Sequence, residues 1–428
     1  MAMRTLVAYA NQRRVGTLTD ENGVWSFGYD DHWIASSDAF PLSPAFPLAS
    51  ERIVDGSSDR PVQWFFDNLL PEERMRSALA REASTDVNDA WGLLSYYGRE
   101  TAGALALLPE GEEEPASDRK ALPLDVLEKR IQDMPHHALT ATSPKRMSAA
   151  GAQQKLLAIL SGEHPNHALF EPVGAEPSMH ILKPDMRSTG YPHSAINEFF
   201  CARLARRFGI TVPDTHFMKV PSACYIIDRF DRDRETRPAG RVHTLDATQL
   251  LNKDKSFKYN NANVDALADC IARLGTKARA RLEVFRWTVF NILIGNADAH
   301  LKNISFFSRA NGYQLAPFYD LLSTVVYNTP TYNEHGGRWP NVQLSMPVGD
   351  AHRFLEISRT DVLMFAEKLG MSRTGAAKDL DKLLNDLDDN IARTRDEVDA
   401  IARPNGGEVR LLDSITRMPL LEMSKALR

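Results

Sequence analysis

The chain has 428 residues, 43% apolar and 25% charged, the profile of an ordinary globular protein with room for roughly two to three domains. A net charge of −5 excludes a polycation built to coat nucleic acid, and three widely spaced cysteines, Cys201, Cys224 and Cys270, argue against a disulfide framework or a zinc knuckle and predict reduced, buried thiols. No run approaches the roughly 18 apolar residues of a membrane span, and the first residues lack the apolar core of a secretory signal, so a cytoplasmic protein without membrane association is expected.

Residues 1–108 read as a small α+β domain. Strands are predicted at 5–10, 13–18 and 24–29, with turns at Asn11-Gln12 and around Asn22-Gly23. The proline-rich passage 40–47 cannot be a central strand. Val62-Gln-Trp-Phe-Phe-Asp-Asn-Leu-Leu-Pro71 is an aromatic cluster suited to a core, and helical spacing follows over 72–81 and 89–97. A strand closes the domain at 102–109. No catalytic constellation is present, so this domain reads as one of interaction or regulation. Residues 109–120 are acidic, carry proline and are nearly devoid of apolar side chains, the composition of a linker.

Residues 121–230 have the order of a kinase small lobe. After a short amphipathic helix at 124–132, Lys145-Arg-Met-Ser-Ala-Ala-Gly-Ala-Gln-Gln-Lys155 precedes an apolar strand. Small residues let backbone N–H groups approach a phosphate, although the single glycine also suits a plain β-turn. Met179-His-Ile-Leu-Lys-Pro184 is a strand with Lys183 at its end. Ser194 is placed to cap a helix that carries Glu198 and ends in the basic turn 203–207 before Gly209. Two further strands, 215–220 and 223–231, are joined at Pro221-Ser222. The five arginines and four acids of 228–241 read as a solvated face.

Residues 231–428 are mostly helical, with helices predicted at 246–252, 264–274, 277–294 and across 359–403, and an irregular stretch at 321–350. Gly295 ends the third of these helices, and Asn296-Ala-Asp-Ala-His-Leu-Lys-Asn303 follows. Asp298 and Asn303 have the D-x-x-x-x-N spacing of a kinase catalytic loop. A hairpin turned at Asn311-Gly312 then carries the chain out and back, so that Asn303 and Asp320 can return to one place. An amide and a carboxylate there can hold magnesium, which leaves Asp298 to accept a proton from a hydroxyl. His300 can contact phosphate or brace the loop. The predicted fold is α+β: a bilobal protein-kinase-like chain with a β-rich small lobe and a helical large lobe, preceded by a small α+β domain.

Taken in order, these pieces resemble the HipA-type serine/threonine kinases, toxins of bacterial type II toxin–antitoxin modules. The resemblance rests on Phe65-Phe-Asp-Asn-Leu-Leu-Pro71, Gly98-Arg99 with Ala102-Gly-Ala104, Ser148 to Lys155, Ile181-Leu-Lys-Pro184, Asn197-Glu198, Arg229-Phe-Asp231, Ile294 to Asn303 and Pro317-Phe-Tyr-Asp-Leu-Leu322. It implies Asp298 as catalytic base and Asn303 and Asp320 as magnesium ligands. It places ATP at Ala150, Gly151, Ala152, Gln153, Gln154, Lys155, Lys183, Asp228, Arg229, Phe230, His300 and Tyr319, with Glu198 as the ion-pair partner of Lys183. Asp228 to Phe230 would form the hinge that meets adenine through its backbone; Asp228 departs from the glutamate expected there, which bears on its side-chain contact and not on the hinge. Ser148 matches the serine that these kinases autophosphorylate, where up to two negative charges would enter the phosphate cradle. The implied partners are a HipB-like helix-turn-helix antitoxin, operator DNA chiefly through that antitoxin, and a translation-related protein substrate, of which aminoacyl-tRNA synthetases are the best-known class. Two alternatives remain at this level: a small-molecule kinase of the aminoglycoside-phosphotransferase type, from which Asn296 departs where a histidine is usual, and a catalytically inactive partner in a repressor complex.

Overall fold

The computed structural model describes residues 3–428 except 135, 146–152, 187–189, 237–238, 261, 331 and 333–337. The chain divides into two compact units. One comprises Met1–Lys183, Asp228–Lys255 and Phe306–Ala316; the other comprises Pro184–Ile227, Ser256–Ser305 and Pro317–Arg428.

In the first unit, an antiparallel sheet orders the strands Ile53–Val54, Val24–Tyr29, Arg13–Glu21, Arg4–Ala10 and Leu105–Pro109. Its register places Leu6 opposite Leu18 and Leu18 opposite Phe27, an apolar row on one face, with the Arg4–Asp20 ion pair at the end of the same face. Asn11 and Gln12 both adopt positive φ, 50° and 65°, as a tight primed hairpin turn requires. The helices Pro61–Asp67, Glu73–Glu82 and Ala90–Tyr97 supply the other side of the core. Trp25 and Trp91 meet edge-on at 5.1 Å, and Phe27, Phe46, Phe65 and Phe66 pack beside them. Asp55 caps the first of these helices by accepting from Val62 N at 2.8 Å and Gln63 N at 3.0 Å.

The same unit holds the strands Leu156–Ser161, Ala168–Val173, His180–Pro184 and Asp118–Ala121. Leu156 pairs with Leu182, Ile159 with Phe170 and Lys120 with Glu171. Part of the acidic stretch expected to be a linker is therefore an edge strand. All four of its side chains are exposed, so no alternation marks it in the sequence. The strands Ser305–Arg309 and Gly312–Leu315 form the expected hairpin, with Arg309 opposite Gly312. Its turn centres on Ala310-Asn311, one residue earlier than the sequence suggests, and Gly312 takes φ 106°.

In the second unit, the helix Lys277–Ile294 is buried on nearly all sides of its carboxy-terminal half, including Trp287, Thr288, Phe290 and Asn291. The predicted apolar stripe is present, but the helix is central rather than amphipathic. Around it lie the helices Ser194–Arg207, Val264–Ala272, Arg359–Lys368, Arg373–Asn385, Leu387–Ala402, Gly406–Ile415 and Leu421–Leu427. Arg203 and Arg207 both reach Glu397, at 3.2 and 2.8 Å. Ser194 does not cap its helix: its hydroxyl accepts from Met186 N at 2.8 Å, while Asp185 accepts from Ala195 N at 2.8 Å. The stretch 321–350, expected to be irregular, contains the strand Gln343–Val348. Cys201, Cys224 and Cys270 are free and buried, as expected. Among the described residues, no helix is long and apolar enough to cross a membrane.

Candidate active site

The helix Lys277–Ile294 ends because Gly295 takes a left-handed conformation, φ 65° and ψ 49°. A Cβ at Gly295 would stand 2.3 Å from Val325 Cγ2 and 2.9 Å from Pro419 Cβ, so the exit path is closed to any side chain. The chain then runs through Asn296 to Asp298 and makes a single 3-10 turn, Leu301–Asn303. That turn brings Asn303 Nδ2 back to donate to the Asp298 carbonyl at 2.8 Å. The five-residue spacing seen in the sequence is thus the span of one closed loop.

Asn296 is the brace of this loop. Its Oδ1 accepts from Asp298 N at 3.0 Å, and its Nδ2 donates to Asn291 Oδ1 at 2.8 Å and to the Asp320 carbonyl at 3.3 Å. Thr324 adds a second tie: its Oγ1 accepts from Ala297 N at 2.7 Å and donates to Gly295 O at 3.3 Å. The returning segment is fixed again where the Tyr319 hydroxyl donates to the Lys302 carbonyl at 2.9 Å and accepts from Ser305 Oγ at 2.7 Å. Asp298, His300, Asn303, Tyr319 and Asp320 therefore share one bonded neighbourhood. Asp320 has φ 53°, an uncommon left-handed conformation that aspartate tolerates better than most residues and that clusters at functional sites.

Asn303 and Asp320 fit a magnesium ion chemically. The amide nitrogen of Asn303 is committed to the Asp298 carbonyl, which leaves the amide oxygen as its ligand end. Asp320 adds a carboxylate, so both donors are the hard oxygens that magnesium prefers. Glu198 is buried in the helix Ser194–Arg207. Burial pushes the Tyr225 hydroxyl well above its ordinary range, and the charges of Glu198 and Asp320 push it further in the same direction.

The side chain of Asp298 is 54% exposed. Buried His300 has its Nε2 3.9 Å from Asp298 Oδ1, and the Tyr259 hydroxyl donates to that same oxygen. The Tyr259 and His300 rings meet edge-on at 5.0 Å. Tyr259 and Asn296 carry no motif of their own; the only sequence signal for Asn296 is its place two residues before Asp298.

The remaining expected residues lie in the first unit. Gln153 and Gln154 are half-buried, Lys155 and Lys183 are buried, and Gln154 Oε1 accepts from Leu139 N at 3.0 Å. Ser148, Ala150, Gly151 and Ala152 lie outside the described residues. The Asp228 carboxylate is held by Arg234 at 2.8 Å and His180 at 3.4 Å. Phe230 packs edge-on to Phe307 at 5.9 Å.

Arg229 belongs to a buried charge cluster that corrects the reading of 228–241 as a solvated face. Glu100, fully buried, meets Arg232 at 2.6 Å, Arg241 at 2.9 Å, Lys145 at 3.0 Å and Arg229 at 3.2 Å. Arg229 also grips Asp231 at 2.7 Å, and Asp231 accepts from Gly103 N at 2.6 Å. Burial alone would push the Glu100 carboxyl up. The charges of Arg241, Lys145, Arg232 and Arg229 outweigh it and hold Glu100 well below the usual carboxylate range. The local charge density was legible in the sequence; its counter-charge, more than a hundred residues away, was not.

The HipA N-terminal domain family matches residues 6–108 and the HipA-like C-terminal domain family matches residues 147–393. The putative kinase Y4mE of Sinorhizobium fredii is 30% identical over 412 residues, 93% of each chain. The serine/threonine-protein kinase toxin HipA of Shewanella oneidensis is 29% identical over 411 residues, 91% of this chain and 88% of that one. A solved Shewanella oneidensis HipA, in complex with HipB and operator DNA, superposes with a TM-score of 0.78 at 25% identity over 99% of both chains. The kinase-like α+β fold expected from the sequence is the fold found, and the chain belongs to the HipA family of kinases.

Proposed function

We propose that this chain is an ATP- and magnesium-dependent serine/threonine protein kinase that acts as the toxin of a type II toxin–antitoxin module in the cytoplasm. The observation that carries the reading is the closed loop in which Asn303 returns to Asp298 while Asn296 ties Asp298 N to the Asp320 carbonyl. Such a loop presents a half-exposed carboxylate on a closed turn that also carries Asn303 and is tied to the Asp320 backbone, the two residues assigned to the metal. Positioning and electrostatics of this kind are most of what phosphoryl transfer demands of a protein.

In this reading Asp298 takes the proton of an acceptor serine as its oxygen attacks the γ-phosphorus and ADP leaves. ATP supplies the phosphoryl group, and Asn303 and Asp320 would hold the magnesium ion that would offset its charge. Lys155 and Lys183, with residues 150–154, are assigned to the phosphates. The hinge Asp228 to Phe230 is assigned to adenine through its backbone, since the Asp228 and Arg229 side chains are already engaged. His300 and Tyr319 are likewise assigned to the nucleotide.

The acceptor is a serine of a translation-related protein, with aminoacyl-tRNA synthetases the first class to test. Ser148 is the autophosphorylation site that silences the enzyme. A HipB-like helix-turn-helix protein is the antitoxin, and operator DNA is met chiefly through it; the HipA–HipB–operator complex of the Shewanella relative supports this assignment. Incubation of the purified chain with labelled ATP and a cell extract, followed by identification of labelled proteins, tests the reading. Label on a translation protein and on Ser148 is expected. Label only on small molecules would refute it.

A further inference from the structure

Tyr259 lies outside every element assigned above, yet its hydroxyl donates to Oδ1 of Asp298, the residue assigned to take the acceptor's proton. Folding does not demand this contact. Asp298 is 54% exposed and Tyr259 44% exposed, so water would satisfy both groups. The ring is nevertheless held there from two sides. His300 meets it edge-on at 5.0 Å and 81°, and Lys258 Nζ stands 5.1 Å from its centroid. A hydroxyl, the same functional group that an acceptor serine presents, thus occupies the base from a side chain that can leave without opening a core.

We infer that Tyr259 determines which hydroxyl reaches Asp298, holding the acceptor position against water until a protein hydroxyl displaces it. The inference rests on Asp298 being the base. With Tyr259 in place, water is denied the oxygen that would activate it, and ATP is not spent on hydrolysis. A serine delivered on a protein surface brings binding energy of its own and moves the exposed ring aside. Side-chain rotation of an exposed residue is fast compared with turnover. The chemical step is unchanged: the serine proton passes to Asp298, the serine oxygen bonds to the γ-phosphorus, and the bond to ADP breaks.

The test uses the full chain with labelled ATP and magnesium, comparing wild type, Tyr259→Phe and Asp298→Asn. Inorganic phosphate release without acceptor and label transfer to dephosphorylated casein are measured side by side. Tyr259→Phe keeps the ring and removes the donor, and its thermal midpoint serves as the control for folding. Its phosphate release is expected to rise about tenfold relative to its transfer to casein, a change of about 1.4 kcal/mol. An unchanged ratio, or an equal fall in both activities, would overturn the inference. So would phosphate found on Tyr259 itself, which would make it an acceptor rather than a guard. If Asp298→Asn turns over ATP like wild type, the kinase reading itself fails; if Asp298→Asn is inactive and Tyr259→Phe matches wild type, only the role of Tyr259 fails.

Discussion

Replacing Glu100 by glutamine isolates the energetics of the buried cluster. The substitution keeps the side-chain volume but removes the charge that faces Arg232 at 2.6 Å, Arg241 at 2.9 Å, Lys145 at 3.0 Å and Arg229 at 3.2 Å. It also turns one acceptor oxygen into a donor, whereas the carboxylate accepts from Ser178 Oγ at 2.9 Å as well. The four cations would be left with Asp231 and, more distantly, Glu114, which is 3.6 Å from Lys145 and 4.0 Å from Arg241. Breaking a buried ion pair by removing one partner costs about 3–5 kcal/mol, because the other charge stays desolvated. At about 2–4 °C per kcal/mol for a unit of this size, the thermal midpoint should fall by about 6–20 °C. Urea unfolding gives the free energy directly. Arg279→Ala, which breaks an exposed helical pair with Glu283, is the control and should cost about 0.5 kcal/mol or less. A loss for Glu100→Gln no larger than that of the control would refute the reasoning.

Three further outcomes are expected. Gly295→Ala forces a Cβ to within 2.3 Å of Val325 at a left-handed position, so a loss of about 2–4 kcal/mol and a drop in ATP turnover are predicted; wild-type stability in urea would contradict it. Asn296→Ala cuts the tie between Asp298 and the Asp320 carbonyl and should lower kcat by up to about a hundredfold while KM for ATP changes little, as steady-state kinetics would show. Burial holds His243 down to about 4 from 6.5, with its ring stacked on Phe40 at 4.7 Å and Nε2 2.9 Å from the Leu42 carbonyl. The unfolded chain therefore binds the extra proton first. The contribution of His243 is full above pH 6.5 and is lost as pH falls from 6.5 through 4, by about 3 kcal/mol in all. The unfolding free energy should fall less between pH 7 and pH 4.5 in His243→Phe than in wild type; an equal fall would contradict the assignment.

The loop at Asp298 was legible because its chemistry is local. One turn of chain closes Asn303 onto Asp298, and a hairpin with a glycine signal returns the chain toward Asp320. The strands and helices of the first domain were legible for the same reason, since alternation and helical spacing report burial on one face. What the sequence concealed depends on distant partners. Arg229, Arg232 and Arg241 look solvated until Glu100 is placed against them. The strand Asp118–Ala121 exists only because Ala168–Val173 offers an edge. Tyr259 lies in a polar stretch without periodicity, and its contact with Asp298 spans 39 residues.

The most direct test of the central claim is transfer of label from ATP by Asp298→Asn. Asp298 is half-exposed, so the variant should unfold at the wild-type temperature. General-base catalysis contributes about 10²–10⁴-fold, and protein phosphorylation should fall by that factor. A folded variant that phosphorylates protein at a rate within threefold of wild type would contradict the account.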